Sequence, residues 1–330
     1  MRRLLLTGAS GFIGTNLLAS WKGRYEAILN LDSRPPFDAT YQSFWHKADL
    51  LVPEEWTRQV ADFQPTEVIH LAARTDMDET TTPETGYRVN IEGTRNLLQA
   101  LSKLPSIQRF ILISSQFVCG PNYIPKNDTD YAPVTVYGRS KVEAERVLRA
   151  SRIPFPWVIA RPTNVWGPWH PRYPQEFWKV LQKGWYVHPS GSPVRRAYAF
   201  VDTVLHQLQQ ALLLPEAKVA GQTFYLSDPV DDIAYWVDAF SCALLGRPAR
   251  RIPRQFLFGL GKVGDAIETF THCPFYINSS RARSMTTDYV VPLDKSLALL
   301  GSGPMSLEDG VKKTLAWLRE NCPEFFSPTK

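Results

Sequence analysis

Cysteine is scarce in this chain, and the four present, Cys119, Cys242, Cys273 and Cys322, are scattered with no C-x-x-C pair. Nothing in that pattern supports a disulfide framework. The six histidines show no paired ligand spacing either, so no metal centre is expected and a reducing compartment fits. Long apolar runs are missing as well: no stretch approaches the roughly 18 residues of a membrane span. Arg2 and Arg3 precede Leu4 to Leu6, but that run is far too short for a secretory or twin-arginine signal and reads as a first strand. No repeat or low-complexity tract is present. Charge is not concentrated in one sign: 37 Lys and Arg against 32 Asp and Glu give +5, spread along the chain. Such a surplus suits an anionic ligand and gives little support to nucleic-acid binding. With 44% hydrophobic residues in 330, the chain has enough for one large core or two modest ones. A cytoplasmic protein with no membrane or nucleic-acid partner is expected.

What is present is glycine in a telling order. Thr7 to Gly14 reads TGASGFIG, directly after Leu4 to Leu6 and directly before the helical pattern Phe12, Ile13, Leu17, Leu18. A strand feeding a helix through glycines leaves backbone N–H groups aligned with the positive end of the helix dipole, which suits a pyrophosphate. Gly8 permits the tight turn, Gly11 lets phosphates approach the backbone, and Gly14 lets the helix pack on the sheet. A second strand, Ala27 to Leu31, ends in Asp32, close to where an acidic residue would hold an adenosine ribose. Asp32 favours NAD, while Arg34 keeps NADP open.

Beyond Asp32 the pattern alternates. A third apolar segment ends at Ala48, Asp49 and Leu50; a fourth strand, Glu67 to Leu71, runs into Ala72 and Ala73; a helix from Glu84 to Leu104 leads to a fifth strand, Arg109 to Ile113, and then to Ser114 and Ser115. A helix over about Val136 to Arg152 leads to a sixth strand, Trp157 to Ala160. This order predicts an α/β chain: a Rossmann-type, doubly wound parallel sheet with ligands at the carboxyl ends of its strands. After Arg161 the texture turns to proline- and tryptophan-rich loops. We place a dinucleotide-binding domain over 1–163, with segments near 197–228 returning to it, and a smaller C-terminal α/β substrate-binding domain over 164–330. There Val201 to Leu214 and Leu307 to Arg319 read as helices and Thr223 to Leu226 as a strand. The loop Cys119 to Val134 is the candidate mobile connection.

Tyr137 and Lys141 stand four apart on a predicted helix, which puts both side chains on one face. Thirteen Tyr and thirteen Lys give about 0.5 such pairs by chance, so position carries the weight: the helix follows the strand that ends at Ser114 and Ser115. The chemistry needs a base that takes a proton from an alcohol while a hydride leaves the same carbon. A free phenol titrates near ~10, and lowering that by about three units requires roughly 4 kcal/mol of differential stabilisation from the Lys141 ammonium and an oxidised nicotinamide. Ser115 would hydrogen-bond the substrate oxygen.

TGASGFIG, Asp32, Asp49-Leu50, HLAA at His70 to Ala73, Asn90 with Gly93-Thr94, SSQFVCG at Ser114 to Gly120, YGRSK at Tyr137 to Lys141, and RPTNVWGP at Arg161 to Pro168 stand in one order. Together they resemble the extended short-chain dehydrogenase/reductase family, in its NAD-dependent nucleotide-sugar epimerase and dehydratase branch. The resemblance implies cofactor contacts at Gly8, Gly11, Phe12, Ile13, Gly14, Asp32, Asp49, Leu50, Leu71, Ala72, Ala73, Tyr137, Lys141 and Pro162. It implies a catalytic Ser115, Tyr137 and Lys141, with Ser114 the weaker serine. Substrate binding falls to Ser115, Asn164 and Arg196, Arg195 staying open as the phosphate-gripping arginine. No metal is implied. A homodimer through the helices Glu84 to Leu104 and Val136 to Arg152 is also implied.

Cys119 and Trp166 replace tyrosines usual in that family. Gln116 and Phe117 stand where 4,6-dehydratases carry carboxyls, which disfavours dehydration. The leading expectation is an NAD(P)-dependent epimerase of a nucleotide-activated sugar, working through a transient keto intermediate. An NDP-4-keto-sugar reductase, a 3β-hydroxysteroid or dihydroflavonol-like dehydrogenase on a hydrophobic alcohol, and a non-enzymatic dinucleotide-dependent regulator remain as alternatives. The identity of the sugar, of the nucleotide and of the carbon acted on does not follow from the sequence.

Overall fold

The first strand sets the architecture. In β1 (Arg3–Thr7) the leucines alternate between two apolar faces, Leu4 and Leu6 on one side and Leu5 on the other, and all three are fully buried. A strand apolar on both faces needs cover above and below, which a parallel sheet with crossover helices supplies. The protein is described by a computed structural model over residues 2–271 and 275–326. With β2 (Ala27–Asp32), β3 (Trp45–Lys47), β4 (Glu67–His70), β5 (Arg109–Ile113), β6 (Trp157–Pro162) and the strand Gln222–Leu226, β1 forms a seven-stranded sheet. The order is Gln222–Leu226, β6, β5, β4, β1, β2, β3, every neighbouring pair parallel. The winding direction reverses between β1 and β4, the place where such sheets open a ligand crevice.

The two faces have separate cores. Leu4, Leu6, Ile69, Ile111 and Val158 pack with Leu17 and Leu18 of the helix Phe12–Trp21 and with Val204, Leu205 and Leu208 of the helix Val201–Leu213. Leu5, Val68, Phe110, Leu112 and Ile159 pack with Leu97 and Leu101 of the helix Thr94–Leu101 and Leu148 of the helix Val136–Ala150. Burying a side chain of this size is worth about 1.5–3 kcal/mol, and so the alternation along each strand, repeated over the sheet, is the main force that fixes its register.

The expected helix from Glu84 to Leu104 is broken once: a turn Pro83–Gly86 is followed by a helix whose π-helical turn Val89–Gly93 runs directly into Thr94–Leu101. Tyr87 makes that break, at φ −118 and ψ 28, with its hydroxyl donating to the Asp76 carbonyl. The loop after β5 is also more tied down than its length suggests, since Cys119 bridges to Ala132, Gly120 N–H donates to the Ala132 carbonyl, and Tyr123 donates to Asp130.

Two compact units divide the described chain. One comprises 2–169, 198–228 and 291–304, and contains the whole sheet. The other comprises 170–197, 229–290 and 305–326, less the three residues 272–274, which include Cys273. It has two small strand pairs, Val187–Ser190 parallel with Arg250–Pro253 and Arg195–Arg196 antiparallel with Asp231–Asp232. Its core gathers Phe177, Trp178, Trp236 and Phe240, with ring centroids 4.8 to 6.4 Å apart. Its longest helix is Arg254–Thr271. Among the described residues no group of acidic, His or Cys side chains is placed to hold a metal ion, and no helix is long and apolar enough to cross a membrane.

Candidate active site

Three glycines make the turn after β1, each for its own reason. Gly8 has φ +74, and a Cβ there would lie 2.4 Å from the Ala72 backbone, so side chains are shut out by both conformation and space. At Gly14 a Cβ would meet Ala9 Cα at 2.2 Å, the mark of a helix pressed onto the strand end. Gly11 differs: a Cβ would meet only the Gly8 oxygen, at 3.5 Å. Protein does not fill the space over Gly11. Gly11 is the N-cap of the helix Phe12–Trp21 and provides no side-chain cap, so the helix start presents its dipole to that space. These features fit the diphosphate of a dinucleotide.

Asp32 ends β2 beside this turn. Its Oδ2 accepts from Ser10 N–H and its Oδ1 from Arg34 N–H, both at 3.0 Å, while burial pushes the carboxyl above its usual range against those bonds. Asp49 is exposed, its Oδ1 bonded to Leu51 N–H, and Leu50 is buried against Gly93. Leu71 to Ala73 continue from β4 at the same edge, Leu71 N–H and Ala72 N–H donating to Thr7 carbonyl and Oγ1. His70, just before them, is fully buried between Thr7 Oγ1 at 2.6 Å and Thr94 Oγ1 at 2.9 Å. Burial, then the Lys141 charge, lowers its pKa to about 3, so it is neutral and fixes strand ends. Pro162 closes β6, buried.

At the end of β5 the helix that carries Tyr137 and Lys141 meets the segment that carries Ser115. Thr135 caps the helix Val136–Ala150 through Gly138 N–H, and Glu79 accepts from Val136 N–H. Gly138 lets that helix touch the turn Gln116–Val118: a Cβ there would be 2.2 Å from the Phe117 oxygen. The contact seats the Tyr137 ring 5.9 Å from Phe117 and 6.2 Å from Tyr87, 8% exposed. Ser115 Oγ accepts from Phe117 N–H at 3.2 Å. Lys141 is buried one turn on, its Nζ 2.9 Å from the Ile113 carbonyl and 6.0 Å from the Tyr137 ring centre; burial lowers its pKa to about 8 against the pull of Glu145.

Sequence reasoning missed Glu145. It stands four residues past Lys141 on the same helix, fully buried, and four donors converge on its two oxygens. Ser114 Oγ and Arg161 Nε reach Oε1 at 2.6 and 2.8 Å; Tyr131 OH and Arg161 Nη2 reach Oε2 at 2.9 and 2.7 Å. Ser114 is thereby engaged away from Ser115. Asn90, placed by the π-turn, similarly donates to Ser140 Oγ at 2.8 Å and accepts from Arg74 N–H. The signal for Glu145 was its i+4 spacing from Lys141, which reads equally as a surface pair.

Asn164 opens the short strand Asn164–Trp166, paired with Tyr198–Phe200 in the first unit. Arg196 belongs to the second, where its Nη2 donates to the Ser284 carbonyl and hydroxyl and to the Thr287 carbonyl. Arg195 is exposed.

Known proteins share this layout. A family model described as "NAD dependent epimerase/dehydratase family" matches residues 4–189, more than half of the chain. UDP-glucose 4-epimerase of Vibrio cholerae is 31% identical, over 97% of this chain and 97% of that one. The N-acetyl-alpha-D-glucosaminyl-diphospho-ditrans,octacis-undecaprenol 4-epimerase of Escherichia coli O157:H7 is 26% identical, over 95% and 94%. Among solved structures, the UDP-glucose 4-epimerase of Thermotoga maritima with UDP-glucose superposes with a TM-score of 0.73 at 20% identity, covering 96% of this chain and 99% of that one, a likeness of fold.

Proposed function

Because the chain belongs to the NAD-dependent epimerase/dehydratase family, we propose that it inverts one carbon of a nucleotide-activated hexose through a transient keto sugar. The observation that carries this reading is the meeting, at the end of β5, of the helix that carries Tyr137 and Lys141 with the segment that carries Ser115, beside a glycine turn left open at Gly11. Bound NAD supplies the acceptor for the hydride leaving the sugar carbon and its donor on return. Tyr137 Oη takes the hydroxyl proton and later gives it back. Lys141, still largely protonated at neutral pH with a pKa of about 8 and with its Nζ 6.0 Å from the Tyr137 ring centre, favours the phenolate electrostatically. Ser115 donates to the sugar oxygen as charge develops there, and the rings of Phe117 and Tyr87 keep water from the phenol.

Gly8, Gly11, Phe12, Ile13 and Gly14 hold the cofactor diphosphate, Asp32 the ribose, Asp49 and Leu50 the adenine, and Leu71 to Ala73 with Pro162 complete the lining. Asn164 contacts the diphosphate that carries the sugar, a group shared by the UDP-sugar and lipid-diphosphate relatives. Gln116 and Phe117 offer no carboxyl to eliminate water, which supports epimerisation over dehydration. A homodimer forms along the helices Thr94–Leu101 and Val136–Ala150, where a groove lined by Leu98, Gln99, Val147 and Ile153 is open.

Mass spectrometry of small molecules released from the purified protein, followed by incubation with UDP-, GDP- and dTDP-hexoses, tests the proposal. Retained NAD and interconversion of two hexoses without net NADH absorbance are expected. Tyr137→Phe should keep the NAD and lose the interconversion. A protein isolated empty that consumes stoichiometric NAD(P)H on a 4-keto sugar is a reductase instead; turnover of a hydrophobic alcohol with no nucleoside diphosphate binding would replace both.

A further inference from the structure

The helix Arg254–Thr271 turns a row of large apolar side chains to solvent. Phe256 is 67% exposed, Leu260 44%, Val263 55% and Phe270 85%. With the half-buried Ile267 they fall at 256, 260, 263, 267 and 270, alternating steps of four and three that keep one stripe on one side of a helix. This is not the packing side. Leu257, Gly261 and Gly264 are buried, and Cβ atoms on the two glycines would lie 3.1 Å from Ser279 Cα and 1.8 Å from the Ile277 oxygen, so the 277–279 backbone lies directly on the helix there. Single exposed apolar residues need no explanation, but five in register do.

Charge says what covers the stripe. From Arg247 to Thr286 the sequence carries seven Lys and Arg against two carboxylates, Asp265 and Glu268. Both carboxylates are turned inward: Asp265 accepts from Ser279 N–H at 3.0 Å, and Glu268 from Phe275 N–H at 2.7 Å and the Asn278 amide at 3.2 Å. Arg247, Arg250, Lys262 and Arg283 are exposed. The cationic surplus lies in the segments flanking the helix, whose own Arg254 and Lys262 are matched by Asp265 and Glu268; an anionic bilayer offers apolar depth for the stripe and phosphate for the flanking cations together.

We infer that Arg254–Thr271 is a peripheral membrane seat, lying in the headgroup layer of an anionic bilayer with Phe256, Leu260, Val263 and Phe270 inserted. A helix in the interface needs no spanning length, so the lack of a helix long and apolar enough to cross does not bear on it. The expectation of no membrane partner rested on that lack alone.

The test is co-sedimentation of the full chain with vesicles of phosphatidylglycerol and phosphatidylcholine against vesicles of phosphatidylcholine alone. Binding to the anionic vesicles should be at least tenfold tighter and weaken as salt is raised. Phe256→Ser with Phe270→Ser should lose at least tenfold, with circular dichroism and melting unchanged because both side chains are exposed; Lys262→Glu with Arg283→Glu should lose the preference for anionic lipid. Three results overturn the inference: no binding to anionic vesicles, equal binding by the serine variant, or a dimer seen by light scattering that the serine variant converts to monomer. None of these readouts uses turnover, so failure here leaves the proposed reaction standing, and the reverse.

Discussion

Glu145→Gln is the substitution that most directly probes how the site is held. The carboxylate receives four donors on two oxygens, and its side chain is wholly buried, as is that of Arg161, 1% exposed. An amide keeps one accepting oxygen and turns the other into a donor. Whichever way it sits, one Arg161 N–H faces an N–H group, with a hydroxyl beside it. Burial alone would lower the Arg161 pKa, and the hydrogen bonds and charge of Glu145 reverse that to a raised value; a guanidinium is too basic to lose its proton when that partner is neutralised, so a buried charge is left uncompensated. Breaking a buried pair from one side costs about 3–5 kcal/mol. At about 2–4 °C per kcal/mol for domains approaching this size, melting should fall by roughly 6–20 °C. A second readout separates positioning from mere structure. Glu145 holds up a Lys141 pKa that burial has brought down to about 8, so the variant should lose the Lys141 charge at lower pH. With that charge weakened, Tyr137 becomes phenolate only at higher pH, so the rise of kcat/KM with pH should move to higher pH. A melting temperature within 2 °C of wild type would refute the energetics, and an unshifted rise of kcat/KM with pH in a folded, NAD-loaded variant would refute the link to Lys141.

Lys141→Met should cut turnover at neutral pH and recover part of it at high pH, where phenolate forms unaided. Because the folded pKa, about 8, lies below the unfolded 10.5, the native state binds fewer protons between those values, so wild-type stability rises with pH across that window. The variant should lack this rise, which melting curves at pH 7 and 10 would show. Gly11→Ala and Gly8→Ala should part company: the first leaves melting of the cofactor-free protein nearly unchanged and strips NAD affinity, while the second, at φ +74 against the Ala72 backbone, destabilises the fold itself. Equal effects on melting would remove the distinction drawn between the two glycines.

The sheet was legible because its central strands repeat the same two-sided apolar code, and because the glycine turn marks where the first strand ends; the edge strand β3, Trp45–Lys47, is half-buried to exposed and lies just before the third apolar segment at Ala48 to Leu50. The helix from Glu84 to Leu104 was misread for a local reason. Its apolar spacing is helical throughout, but the Tyr87 hydroxyl bonds the Asp76 carbonyl and Arg74 reaches the Gly86 carbonyl at 2.9 Å, bonds to a preceding loop that apolar spacing does not register. They break the first turn and leave a π-turn at Val89–Gly93, which brings Asn90 to Ser140.

The same asymmetry governs the site. Tyr137 and Lys141 were readable because a reacting group needs a fixed residue type at a fixed spacing, and Gly8, Gly11 and Gly14 because backbone geometry admits little else. Glu145, Arg161 and His70 act through other residues, and what they require is a complement of donors rather than a position relative to a motif. Glu145 draws its four bonds from residues 114, 131 and 161, which lie in three separate segments of the chain. Only the closed fold brings them within 3 Å of one carboxylate. Its i+4 spacing from Lys141 does not distinguish such a hub from a surface pair, yet it ties Ser114, next to Ser115, to the helix that carries Tyr137 and Lys141. The geometry of the proposed chemistry therefore depends most on a residue that the sequence left unmarked.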